Sequence, residues 1–273
     1  MMKWKQLIRS KLLVIGASMI ALLFGLMVIS LFYTPYEPNA MNPAMRLAPP
    51  QPAYWLGTDN FGRDIFSRIM EGTQTAFLIG LLSVAIGLFC GLIIGAVAGY
   101  AGGWLDEILM RIMDAKLAFP GILLAIMLVS VFGPGLGNTI VALGVMSIPA
   151  FARISRSGFI QYKEFVFVKA AKARGAGPLR IVFRHILPNM TSPLIVAASL
   201  RFSGSILAEA GLSYLGLGVQ PPDPSWGRML SEAQPYIVNA PWYVIMTGAV
   251  ITAMVLGFNL LGDGLRDAYD NKG

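Results

Sequence analysis

Apolar runs of about 20 residues recur along the whole length of this chain, and a helix needs roughly that many residues to cross the ~30 Å hydrocarbon layer of a bilayer. Of 273 residues, 56% are hydrophobic and only 13% charged, which leaves little polar sequence for a separate soluble core. The composition predicts an all-α fold, a single polytopic transmembrane helical bundle over residues 1–273, because only helices or closed barrels satisfy their backbone in lipid. Six spans are expected, at roughly 12–32, 76–100, 108–132, 138–152, 190–212 and 242–262. The fourth is short, and Pro149 near its end should kink or stop it. The first follows Lys3, Lys5, Arg9 and Lys11 in the manner of a signal peptide. Its apolar stretch is long and runs into Phe32-Tyr33-Thr34-Pro35 without a small-residue cleavage site, so it is expected to stay as an anchor.

Basic residues orient the bundle. The loop 153–189 holds Arg153, Arg156, Lys163, Lys169, Lys172, Arg174, Arg180 and Arg184 against one acid, Glu164, so it and both chain termini are expected in the cytoplasm. Loops on the other side carry Arg46, Arg63, Arg68 and Arg228 against six acids, which concentrates the net charge of +7 on one face. That asymmetry suits contact with anionic membrane lipid; no aromatic or helix-turn-helix context accompanies it to suggest nucleic acid. The single cysteine, Cys90, lies inside an apolar run, excludes an intramolecular disulfide and reads as packing. His185 is the one histidine and reads as a hydrogen-bonding loop residue, so no metal site is assigned.

Within the basic loop, Lys169-Ala170-Ala171-Lys172-Ala173-Arg174-Gly175-Ala176-Gly177 precedes a run in which Leu179, Val182, Phe183, Ile186 and Leu187 recur at the spacing of one helical face. Arg180 and Arg184 fall opposite. Gly175 permits a sharp turn, and Pro178 suits the first turn of a second helix. Two short helices at an angle result, either as a docking surface for a soluble partner or as an interfacial helix on lipid headgroups.

Residues 169–189 resemble the conserved cytoplasmic loop of bacterial ABC importer permeases. More narrowly, the chain is similar to the second, C-type permease subunit of the dipeptide, oligopeptide and nickel importers. Leu56-Gly57-Thr58-Asp59-Asn60-Phe61-Gly62-Arg63-Asp64, Leu212-Ser213-Tyr214-Leu215-Gly216-Leu217-Gly218, Pro224-Ser225-Trp226-Gly227 and Asn259-Leu260-Leu261-Gly262-Asp263-Gly264-Leu265-Arg266-Asp267 carry that likeness in order. Lys169 stands where the family usually has Glu, and Arg174 where a Leu is usual. The resemblance implies that Lys169, Ala170, Ala171, Gly175, Ile181, Leu187 and Pro188 couple the bundle to a cytoplasmic ATPase. It further implies a homologous B-type permease, two ABC ATPase subunits, an extracytoplasmic substrate-binding protein and an inner-membrane location. No phosphate-binding loop exists in the chain, so it is not expected to be an enzyme or to bind a cofactor; ATP and Mg would sit on the ATPase subunits. Small peptides, glutathione-like thiols, nickel and metal chelates are the substrates of such importers.

Four further features carry expectations. Gly87, Gly91, Gly95 and Gly99 form a stripe at four-residue spacing that lets another helix approach, within the chain or on a partner permease. Residues 221–241 suggest an outer cap or re-entrant piece with Trp226 as an interfacial anchor. Asp59 or Asp64 is expected to cap a helix. Arg201, Ser205 and Glu209 share a stripe on the fifth span, where an ionised group facing lipid costs at least ~2.5–3.5 kcal/mol, so Arg201 and Glu209 are candidate pathway residues. An ion-coupled secondary transporter is the alternative, with Arg201, Glu209 and Asp114 inside spans but no internal repeat. A membrane-embedded enzyme lacks a catalytic constellation.

Overall fold

The computed structural model describes residues 10–270, so Lys3, Lys5 and Arg9 lie outside the described residues. No strand occurs among the described residues. Five helical segments are long and apolar enough to cross a membrane. They are α1 (Lys11–Ser30), α2 (Ile65–Ala101), α5 (Leu136–Lys163), the segment Pro178–Tyr214 and α10 (Pro241–Asp270). A further pair is apolar enough to cross only when taken together: α3 (Gly103–Ala118) and α4 (Gly121–Phe132) meet at 88°, the geometry of a broken span or a re-entrant loop. The expected third span at 108–132 is therefore corrected to two helices. Proline disfavours helical angles in the residue before it, and Phe119, ahead of Pro120, is extended at φ −88°, ψ 135°.

The expected end of the fourth span is also corrected. Helix α5 runs from Leu136 through Pro149 to Lys163, so residues 153–163, assigned to the basic loop, are helical. Pro149 has no N–H to offer the carbonyl of Val145 one turn earlier. Lys116 Nζ, arriving from α3, donates to that carbonyl at 3.0 Å. The same remedy recurs in α8 (Leu187–Tyr214), where Pro193 leaves the Asn189 carbonyl free and the Tyr162 hydroxyl donates to it at 2.9 Å. Both prolines are tolerated because a neighbouring helix supplies the missing donor.

Helix α2 has 37 residues and starts well before the expected position 76. Its rise of about 55 Å exceeds the hydrocarbon thickness, and the extra turns lie under protein. Asp64 caps it, accepting from the Ser67 N–H at 2.8 Å and the Ser67 hydroxyl at 2.6 Å. Helix α2 packs along α5 through the glycine stripe. A Cβ at Gly91 would lie 2.8 Å from the Ile148 carbonyl oxygen, and one at Gly99 2.7 Å from that of Arg156. Gly87 and Gly95 face Ser147 and Ala152 in the same way, so the two backbones touch. Helix α10 packs against α1 and α8, and the main apolar cluster joins α2, α5, α8 and α10 through Ile65, Phe151, Phe202 and Met254.

Candidate functional site

The basic end of the bundle carries α6 (Val166–Ala173) and α7 (Pro178–Ile181), joined by a turn closed in a specific way. The Ala176 N–H reaches the Ala171 carbonyl at 3.1 Å and the Gly175 N–H reaches that of Lys172 at 3.0 Å. This pair of bonds needs a left-handed residue just past the helix, and Gly175 supplies it at φ +83°. Pro178 opens α7, and a wide turn at Val182–Ile186 leads into α8.

Val168, Ile181 and Ile186 are buried and fasten this element to the bundle. Phe165, Val166, Phe167, Leu179 and Phe183 point outward, with Val166 83% and Leu179 74% exposed. The apolar face expected from periodicity is thereby split. Leu179 and Phe183 are presented to the outside, whereas Ile181, off that face, is buried. The wide turn adds a residue to one helical repeat and so rotates the start of α8 relative to α7.

Lys169, Ala170, Gly175 and Pro188 are exposed, Ala171 and Leu187 half-buried, and Ile181 lies beneath the surface they form. Lys169 pairs with Glu164 at 2.9 Å, and that ammonium holds the Glu164 carboxyl below the ordinary carboxylate range. The His185 carbonyl accepts from Asn189 Nδ2 at 2.7 Å. Arg156 grips Asp106 through Nε and Nη2 at 2.5 and 2.7 Å, and Arg153 pairs with Asp114 at 2.7 Å, so two of the basic-loop arginines tie α3 to α5.

Deeper in the bundle, Arg201, Ser205 and Glu209 do not share an environment. Glu209 is sealed in protein, accepting from the Ser213 hydroxyl at 2.6 Å and the Ser225 hydroxyl at 2.9 Å, which ties α8 to the segment before α9 (Trp226–Ala233). Glu209 therefore does not reach the surface that Arg201 faces, although the two share a helical stripe. Arg201 is exposed and lines a cavity of about 350 Å³ with Lys116, Phe119, Pro120, Gly121, Met146 and Pro149.

The opposite end holds a buried ion network that the sequence did not reveal. The Asp59 carboxylate, fully buried, accepts from Arg63 Nε at 2.5 Å and from the N–H groups of Phe61 and Arg63 at 2.8 and 2.9 Å. Arg63 Nη2 continues to Glu232 at 2.8 Å, and Arg228 Nε meets the other Glu232 oxygen at 3.1 Å. Arg68, 2% exposed, donates to Asn39 Oδ1 at 3.0 Å and the Pro38 carbonyl at 3.2 Å, with its Nε 3.7 Å from Asp59. Trp226 is not the interfacial anchor expected. It is buried, and its Nε1 donates to the Ile69 carbonyl at 3.2 Å. The placement of Arg63, on the loop before α2, against Glu232, on α9, could not be read from either segment alone.

A bundle of five to six candidate crossings, with one sharply bent helix pair and a structured basic element on one end, defines a polytopic membrane protein. The chain belongs to the family of binding-protein-dependent transport system inner membrane components, whose model matches residues 91–272; residues 2–50 match the N-terminal transmembrane domain of oligopeptide transport permease C. It is 44% identical over 269 residues to the dipeptide transport system permease protein DppC of Alkalihalophilus pseudofirmus, covering 98% of this chain and 88% of that one. It is equally 44% identical, over 270 residues, to the glutathione transport system permease protein GsiD of Pectobacterium atrosepticum, covering 98% and 90%. The fold is similar to a chain of the MetNI methionine ABC transporter solved in inward-facing form, with a TM-score of 0.61, 20% identity and coverage of 72% of this chain and 94% of that one. The chain is accordingly a C-type permease subunit of an ABC importer of the inner membrane, not an enzyme, and the secondary-transporter alternative is set aside.

Proposed function

We propose that this subunit forms half of a translocation pathway for small peptides, with a homologous B-type permease supplying the other half. Two ATPase subunits, holding ATP and Mg, dock on the basic end, and a binding protein delivers substrate to the opposite end. The relatives named for dipeptides and glutathione support the substrate class. The observation that carries the coupling role is the outward face of α6 and α7. Five large apolar side chains flanked by Lys169, Lys172 and Arg180 make a patch that a water-facing surface rarely leaves bare. Closure of the ATPases pushes on this element, and Ile181 and Ile186, packed into the bundle, carry the push into α8. The spans then alternate between inward-open and outward-open arrangements.

This reading requires the patch to face the cytoplasm. Single cysteines at Gln51 and Gln234 are expected to react with a membrane-impermeant maleimide applied to whole cells or spheroplasts. One at Lys172 is expected to react only after permeabilisation. External labelling at Lys172 would invert the bundle and remove the docking role.

A further inference from the structure

The cavity beside Arg201 lies where α3 breaks from α4, and two of the residues lining it are cationic: Lys116 and Arg201. No carboxylate lines it. The Arg201 side chain has no hydrogen bond or ion pair with any described residue. It sits near the middle of the 28-residue α8, about 20 Å of helix rise from either end. Lys116 is fixed by its bond to the Val145 carbonyl, which uses one of its three N–H donors and leaves two for another acceptor. Helix α4 opens at Gly121 on the same cavity, so the positive end of its dipole adds to the field there.

Two unneutralised cations at this depth cannot face hydrocarbon without a cost of at least ~2.5–3.5 kcal/mol each on insertion scales. The cavity wall must therefore meet water, a partner, or an anion in transit. Its surroundings point the same way: Leu117, Phe119, Pro120 and Gly121, at the break between α3 and α4, are all exposed on this side of the chain.

We propose that Lys116 and Arg201 form a subsite for the carboxylate of the substrate in transit, such as the C-terminal carboxylate of a peptide. The inference rests on the peptide-importer reading above and sharpens it. A carboxylate is attracted by both cations at once, whereas a bare divalent cation such as nickel is repelled by both, so the subsite selects a carboxylate-bearing cargo. Lys116 thus has two roles, holding the helix at Pro149 and facing the cargo. Its bond to Val145 sets the position from which it does so.

Proteoliposomes containing the complete transporter, with its binding protein at saturating concentration inside the assay, supply the test. Uptake of dialanine and of its C-terminal amide is measured, each normalised to the fraction of binding protein loaded. The wild type is expected to import the free acid at least about ten-fold faster than the amide, the scale of one hydrogen bond to a charged group. Arg201→Gln and Lys116→Gln are each expected to bring that ratio toward one, and Arg201→Lys to restore part of it. Glutamine at 116 keeps a donor for the Val145 carbonyl, whereas Lys116→Met removes donor and charge together. A purely structural Lys116 would leave Lys116→Gln with the wild-type ratio and damage only Lys116→Met, which would overturn its role in the subsite. Equal uptake of acid and amide by the wild type would overturn the subsite as a whole. A wild-type complex with no ATP-dependent uptake of either peptide would instead overturn the peptide-importer reading on which the subsite rests.

Discussion

Replacing Asp59 by Ala is expected to destabilise the subunit by about 3–5 kcal/mol, the usual cost of removing one partner from a buried ion pair. The carboxylate is fully buried, it accepts from Arg63 and two backbone N–H groups, and it is the nearest acid to the buried Arg68. Its loss leaves two guanidinium groups short of their counter-charge inside the cap. Glu232 offsets part of this, because it already meets Arg63 at 2.8 Å. Unfolding of the purified complex in a detergent titration, followed by helical circular dichroism, measures the effect. A double variant, Asp59→Ala with Arg63→Met, is expected to recover part of the loss, since a charge removed with its partner no longer needs compensation. An Asp59→Ala subunit within about 0.5 kcal/mol of wild type, the usual scatter for surface substitutions, would show that the cap does not depend on this pair.

The second large effect is expected at the α2–α5 seam. A Cβ on Gly95 would overlap the Ala152 carbonyl and come within 2.5 Å of Ser155 Cβ and 2.8 Å of the Arg156 nitrogen. None of these is the flexible tip of a side chain, so relief requires the helices to separate. Gly95→Ala is expected to cost at least the ~1–3 kcal/mol typical of an overpacked core, and Gly95→Leu to prevent stable accumulation in the membrane. Gly204→Ala provides the control: nothing lies within 4 Å of a Cβ there, so that substitution should gain roughly 0.5–1 kcal/mol from helix propensity. Membrane abundance and detergent-unfolding midpoints of the two alanine variants decide the matter. Equal stability of Gly95→Ala and Gly204→Ala would contradict the close packing.

Much of this architecture was legible in the residues because lipid leaves few choices. The apolar runs, the glycine spacing and the Gly175–Pro178 turn each map onto one feature with one physical cause. The features not legible in the residues depend on groups far apart in sequence. Pro120 inside an apolar run was a local signal of the break in the third span, yet Pro149 is locally the same signal and leaves α5 unbroken. The difference is the Lys116 ammonium on the Val145 carbonyl, a contact between positions 29 residues apart. The helix start at Asp64 was legible as a cap, but that the capped helix continues without a break into the second span was not, because Arg68 stands in its first turns and its partners Asn39 and Pro38 lie about 30 residues away. The candidate pathway pair Arg201 and Glu209 was set by helical spacing alone, which cannot say that Ser225 from another segment closes over Glu209.

Coupling through α6 and α7 is the claim on which the functional account turns, and Gly175 is where it is most exposed to test. Within this chain nothing lies within 4 Å of a Cβ at this position, so inside the subunit a substitution there acts through its φ of +83°. Valine should strain the turn by about 1–2 kcal/mol, enough to tilt α7 away from α6 without unfolding the bundle. Asparagine, which tolerates left-handed angles, should be nearly silent. The decisive measurement is peptide uptake and substrate-stimulated ATP hydrolysis in the same proteoliposomes for wild type, Gly175→Asn and Gly175→Val, each normalised to assembled complex. Both activities are expected to fall together in Gly175→Val and to stay near wild type in Gly175→Asn; Gly175→Val with both activities at the wild-type level would contradict coupling through α6 and α7.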